Sequence, residues 1–279
     1  MGKLHAQTVR LIEAMREILQ SCNPQTVRQC YYQLVSRQVV ENSRGAYQTV
    51  SDALVKARQE GAIPWEWIED RLRRPRRVPM WDDVPDFANN VVPQYRRDVW
   101  AAQPGLIEAW LEKDALSGIF EEVLQEYGIT LNVGRGFDGW DSIHNAAERY
   151  CDGEAVTVLY FGDFDPSGEA MVTSLRERLA FFDCRPNIIK IALTAEDIDR
   201  YHLPPNFTKA SDSRRDAFVA LHGDVAVELD ALRVDVLEAR LRDEIEARMD
   251  LSVLAAVRKQ EQAERKRMAV ALRRVGGVA

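Results

Sequence analysis

Residues 155–168 read AVTVLYFGDFDPSG, and this stretch decides the fold class. Its first seven residues are almost purely apolar and rich in β-branched side chains, the pattern of a central strand in a parallel sheet. Asp163 and Asp165 follow, two residues apart, so in extended backbone both carboxylates point to one side. Pro166 and Gly168 then turn the chain into a helix expected over 169–182. Open α/β sheets bind their ligands beyond the carboxyl ends of strands, which is where this pair falls. Taken alone, DxDxxG is also the composition of an ordinary solvated turn.

Reading outward, LIEAWL (106–111), ITLNV (129–133) and IIKIALT (188–194) are further strand candidates. Helical patterns over 115–127 and 142–150 separate them, and the alternation predicts a doubly wound α/β domain. Glu112 closes the first of these strands in AWLEKDAL, so in a parallel sheet its carboxylate reaches the same edge as Asp163 and Asp165. Three convergent carboxylates with no histidine or thiol beside them favour a hard cation such as Mg²⁺. That ion suits phosphodiester chemistry, where it offsets charge on the attacking and leaving oxygens. EKD and DFDPSG, each behind an apolar strand, are together more specific than either alone.

The first hundred residues have a different grammar. Residues 4–21 repeat apolar side chains at helical spacing, and Asn23-Pro24 ends that helix. Thr26 caps a second helix, VRQCYYQLVSRQVV, running to about Val40. A polar turn (41–45) and a third helix from about Ala46 to Gln59 complete a helix-turn-helix pattern. Residues 62–98 are richer in Pro, Trp and Arg and read as a wing and connecting arm. The run RLRRPRR (71–77) within them suits either a phosphate-contacting arm or a solvated linker. From about Val225 the tail is helical, and KQEQAERKRMAVALRR is too polar to be core along its whole length. The expected division is a helical DNA-binding domain with its arm over 1–98, an α/β domain over 99–245, and a helical tail over 246–279.

Composition sets the outer bounds. An apolar fraction of 46% and a charged fraction of 29% are ordinary for a soluble globular protein. No apolar run approaches the ~20 residues that span a bilayer, so no membrane partner is expected. Cys22, Cys30, Cys151 and Cys184 form no CxxC pair, which points to reduced thiols and a cytoplasmic protein. The net charge of −7 hides an asymmetry: residues 1–100 hold 15 Lys/Arg against 12 Asp/Glu, and the remainder 22 against 32. A DNA-gripping module joined to a carboxylate site fits that split, as does a plain acidic surface. The four histidines are scattered, with no metal-ligand spacing.

Glu112 in LEKDAL, the loop NVGRGFD (132–138) and the pair in GDFDPSG resemble the Toprim domain of type II topoisomerases, primases and related nucleases. The nearest likeness is to the A subunit of topoisomerase VI and its meiotic double-strand-break relatives, in which a winged helix precedes Toprim. The resemblance implies that Glu112, Asp163 and Asp165 hold Mg²⁺, with Glu112 also counted among the catalytic groups. It implies that Lys113 and Arg135 face DNA phosphate, and that VELDAL (227–232) is the family's later acidic element. It further implies double-stranded DNA as substrate, a homodimer in which the tyrosine of one chain meets the metal site of the other, and a separate ATPase subunit. The chain itself carries no Walker A loop.

In that family the nucleophile is a tyrosine in an Arg-x-x-Tyr-Tyr-like stretch, and this chain has TVRQCYYQLVSR. Helical spacing turns Tyr31 inward with Val27 and Leu34, and sets Tyr32 beside Arg28 at i, i+4. An adjacent guanidinium should favour the phenolate of Tyr32 for attack on phosphorus. Core and rim packing accounts for the tyrosine pair equally well on the residues alone. Lys56 and Arg58 on the third helix are the remaining DNA-contact candidates. The resulting expectation is Mg²⁺-dependent double-stranded DNA cleavage by tyrosine transesterification. The alternatives are a hydrolytic Toprim nuclease of a defence or mobile-element system, such as the nuclease subunit of Wadjet-type systems, and a non-catalytic DNA-binding scaffold.

Overall fold

Apolar runs become the strands of one all-parallel sheet: β1 (Leu106–Leu111), β2 (Thr130–Val133), β3 (Val156–Phe161) and β4 (Asn187–Ala192). The computed structural model describes residues 6–68, 78–134, 139–150, 155–206, 208 and 212–275. The strand order is β2-β1-β3-β4. The chain therefore leaves β1 toward one edge and returns to start β3 on the other side. This reversal leaves a crevice at the carboxyl ends of β1 and β3, the position at which doubly wound sheets take ligands. In register, Leu111 lies opposite Phe161, so Glu112 falls beside Gly162 and next to Asp163.

Both faces of the sheet are covered, as the expected α/β class requires. Helices α6 (Trp140–Tyr150) and α7 (Pro166–Ala180) bury one face, where Trp110, Val158 and Tyr160 meet Ile143, Ala147, Met171 and Leu175. Helices α5 (Ser117–Tyr127) and α10 (Val234–Glu246) lie against the other, with Ala109, Leu111, Leu159 and Phe161. Glu108 of β1 is buried in the first face, and Arg149, Asn132 and Tyr150 all hydrogen-bond to its carboxylate. That satisfies a charge that would otherwise be prohibitive inside a sheet. Helices α8 (Ala195–Tyr201) and α9 (Arg215–His222) follow β4 and were not expected from the sequence.

The N-terminal helices are α1 (Ala6–Ser21), α2 (Val27–Ser36) and α3 (Arg44–Gln59). Thr26 opens α2 with a reciprocal cap: its hydroxyl accepts from Gln29 N–H while the Gln29 side chain accepts from Thr26 N–H. The helix stops at Ser36, earlier than Val40, because the chain turns at Gln38, whose φ is +57°. Tyr31 fixes the α2–α3 turn, its hydroxyl accepting from Ser43 N–H at 2.9 Å. Met15, Ile18, Leu19, Leu34, Val50 and Leu54 bury their side chains in the same continuous cluster that covers the α5 face of the sheet.

The stretch read as wing and arm differs from expectation. Its described residues hold no strand; they form a 3₁₀ turn at Trp65–Trp67 and helix α4 (Val84–Val91). Asp83 caps α4 by accepting from Asp86 N–H, with Pro85 in the first turn. The run RLRRPRR and Arg135 lie outside the described residues. Helix α11 (Leu251–Val275) returns along α4, where Tyr95 and Arg97 bond to Glu264 and Arg97 N–H to Glu261. That contact gives the polar tail its place. Cys22 and Cys30 are free thiols, but Cys184 is disulfide-bonded, which corrects the expectation of reduced thiols throughout. No helix among the described residues is long and apolar enough to cross a membrane.

Candidate functional site

The strand ends build the site from backbone geometry. Glu112 continues the β1–β3 ladder through its N–H to Phe161 O, and its carboxylate turns back to accept from Asp163 N–H at 2.9 Å. This return path exists because residue 162 is glycine. A Cβ there would stand 2.6 Å from Glu112 Oε2 and 2.7 Å from the Tyr160 ring. Gly168 serves the same end from the other side, since a Cβ on it would meet Asp163 O at 2.2 Å. Asp165 caps α7, its Oδ1 accepting from Gly168 N–H at 2.7 Å.

Beyond Asp163 the chain pairs back on itself. Phe164 and Val227 exchange both backbone hydrogen bonds, which lays residues 227–230 across the strand ends. Asp163 Oδ1 accepts from Leu229 N–H at 2.7 Å and lies 3.0 Å from the Lys113 ammonium. Asp163, Asp165, Ser167, Asp212 and Glu228 line one cavity of about 340 Å³. Of the expected trio, Glu112 meets Asp163 through the Asp163 N–H, and Asp163 and Asp165 share this cavity, whose lining does not include Glu112.

Electrostatics follow from that crowding. Burial, then the charges of Asp163 and Asp165, push the Glu112 carboxyl up to about 7 from an ordinary 4.5. Asp163 is also raised, by burial that outweighs Lys113 and the Leu229 N–H. Among the described residues no three His, Cys, Asp or Glu side chains are grouped as a metal shell. The donors nevertheless suit a hard cation. All are carboxylate oxygens, and two of them hold protons more strongly than usual because buried negative charge is under-compensated.

Two expected roles are altered. Lys113 does not project toward solvent: its ammonium sits among Asp163, Glu228 (2.8 Å) and Asp230 (3.4 Å), and the side chain is 17% exposed. Those three carboxylates raise its pKa against the effect of burial. Arg28 pairs with Glu228 and, at 3.1 Å, with Asp230, while its guanidinium carbon lies 5.8 Å from the Tyr32 ring centre. The guanidinium was expected to favour the Tyr32 phenolate. Arg28 does pull toward the phenolate, by charge and by hydrogen bond, but burial and next the Glu228 charge outweigh it and raise the phenol to about 12.

Tyr31 and Tyr32 are both buried, so helical spacing separated their neighbours rather than their exposure. Arg28, Tyr31, Tyr32, Asn42, Arg44 and Asn206 line a second cavity of about 300 Å³. Asn206 borders both cavities and accepts from Asn42 Nδ2 at 2.8 Å. Lys56 is exposed at the end of α3; Arg58 stacks 4.8 Å over Trp65 and is only partly exposed. The part played by Glu228 and Asp230 as partners of Arg28 had one sequence signal, the acidic pair in VELDAL, without any sign of what they would touch. Asn206, Ser167 and Asp212 had none. Comparison with known protein families gives no match, and comparison with curated proteins gives none.

Proposed function

We propose that the chain cleaves double-stranded DNA at the β1–β3 crevice in a Mg²⁺-dependent reaction, with Tyr32 as nucleophile. The observation that supports this reading is Glu112 turned onto Asp163 N–H at the switch point, where burial and the charges of Asp163 and Asp165 push its carboxyl up to about 7. When bound there, Mg²⁺ would offset charge on the scissile phosphate. The residues of the chain do the rest. Arg28 and Lys113 stand between the carboxylates and the phenol and supply positive charge for a phosphodiester. The Tyr32 oxygen bonds to phosphorus, the bond from phosphorus to the 3′-oxygen breaks, and the phenolic proton ends on that oxygen. The product is a 5′-phosphotyrosyl link. Within one chain, Tyr32 connects to the carboxylates through Arg28, Glu228 and Lys113. A homodimer and a separate ATPase subunit belong to this proposal through the Toprim resemblance alone.

One observation favours a second reading, hydrolysis by water at the same carboxylates. Tyr32 is 4% exposed and its phenol is held protonated, the reverse of an activated nucleophile. End-labelled duplex DNA, incubated with Mg²⁺ and stopped with detergent, separates the two. Label co-migrating with protein, lost in Tyr32→Phe, supports transesterification. Free cut ends made equally by both proteins support hydrolysis. No cutting by either would leave a DNA-binding scaffold as the reading.

A further inference from the structure

Glu228 stands where two cavities meet. On one side is the carboxylate cavity, which Glu228 itself lines; on the other is the Tyr32 cavity, which its partner Arg28 lines. Both Arg28 and Lys113 bind its carboxylate, so one anion bridges two cations that come from different parts of the chain. Their side chains are 45% and 17% exposed, and Glu228 is 28% exposed. Asp230, on the same turn, behaves differently. It is 1% exposed, and one of its carboxylate oxygens is buried without a hydrogen-bond partner.

A bridging anion held by a guanidinium and an ammonium is also the arrangement that binds a phosphodiester oxygen pair. A strand backbone running from the carboxylate cavity to Tyr32 would have to pass the point that Glu228 occupies. We propose that Glu228 is an internal stand-in for a backbone phosphate of nucleic acid, closing the passage between the two cavities until a phosphodiester displaces it from Arg28 and Lys113. The proposal rests on reading the site as one for phosphodiesters. Asp230 suits the role of the fixed counter-charge, because it stays beside both cations when Glu228 swings out. The placement also bears on Tyr32: Glu228, the carboxylate whose charge most disfavours the phenolate, is the one the ligand would remove.

The test measures binding of a short duplex DNA in EDTA, where no metal-dependent cutting occurs, for wild type and Glu228→Gln. The variant should bind on the order of tenfold tighter at low salt, and its dependence of log K on log salt should steepen by roughly one to two units as Arg28 and Lys113 become available to phosphate. Glu228→Asp, which shortens the side chain by one methylene, should fall between the two and serves if Glu228→Gln folds poorly. In parallel, ultraviolet titration against Tyr32→Phe should show the Tyr32 phenol ionising at lower pH in Glu228→Gln. Unchanged or weaker DNA binding by a folded variant overturns the stand-in role, even if the wild type cuts DNA. If the wild type neither binds nor cuts DNA, the nucleic-acid reading fails by itself. Inorganic phosphate then decides the anion seat: tighter phosphate binding by Glu228→Gln keeps it, and no change removes it.

Discussion

Replacing Glu112 by glutamine probes the crowding at the strand ends directly. Glutamine keeps the oxygen that accepts from Asp163 N–H and nearly the same shape, so it removes charge and little else. In the folded protein the Glu112 carboxyl is raised from 4.5 to about 7, chiefly by burial and then by Asp163. A raised carboxyl stabilises the fold fully below pH 4.5, and that contribution is lost as pH climbs through about 7. At pH 8 the ionised side chain therefore costs up to about 3 kcal/mol, at about 1.4 kcal/mol per pKa unit. Glu112→Gln should recover most of that at pH 8 and almost none at pH 5. For a chain of this size the gain corresponds to a Tm rise of roughly 5 °C at pH 8. Calorimetric melts in EDTA at both pH values read the difference. Adding Mg²⁺ at pH 8 should raise the wild-type Tm and leave the variant nearly unmoved, because ligand bound only to the folded state stabilises it. Equal shifts at pH 5 and pH 8, or a loss of stability at pH 8, would refute the crowding argument.

Three other outcomes follow from the geometry. Gly162→Ala should lower stability by about 1–3 kcal/mol and weaken Mg²⁺ binding, since its Cβ strikes both Glu112 Oε2 and the Tyr160 ring; chemical denaturation and Mg²⁺ titration check the two effects. Asp165 has two separable roles, so Asp165→Asn should keep the α7 cap and lose Mg²⁺-dependent cutting, whereas Asp165→Ala should also cost about 1 kcal/mol in a denaturant melt. Reversing the sign of Lys56 and Arg58 should flatten the salt dependence of DNA binding by roughly one unit per lost phosphate contact, with the smaller part from Arg58, whose guanidinium is stacked on Trp65.

What could be read in the sequence was local. The unbroken apolar run of β3 announced a doubly covered strand, and GDFDPSG announced a strand end followed by a capped helix. Thr26 marked the start of α2, and the structure adds Gln29 as the other half of its capping box. Helix α4 also had its signals, Asp83 and Pro85, but they sat among Pro, Trp and Arg residues whose composition suggested an irregular arm. What could not be read depends on partners far apart in the chain. Arg28 meets Glu228 across 200 residues and Lys113 meets it across 115. Helical spacing placed Arg28 beside Tyr32, where it does favour the phenolate; what outweighs it is burial and the charge of Glu228, on a turn that no local pattern links to α2.

The two ends of the site hold their protons for a common reason. Glu112 and Tyr32 are both raised, in each case first by burial and next by the nearest carboxylate, Asp163 for one and Glu228 for the other. The available cations relieve each group only in part, because Lys113 and Arg28 are shared among four carboxylates in all, counting Asp163, Glu228, Asp230 and, through weaker influence, Glu112. Added positive charge at the strand ends would lower Glu112 and draw Asp163 away from Lys113. Lys113 would then be free to act on the phenol side, where it already favours the phenolate. On the proposed function, cation binding at one end and deprotonation of Tyr32 at the other would then be coupled through a single ammonium. Lys113→Met should break that coupling: Mg²⁺ should shift the ultraviolet titration of Tyr32 to lower pH in the wild type and leave it in place in the variant. A Mg²⁺-induced shift of equal size in both proteins would show that Lys113 does not link the two ends.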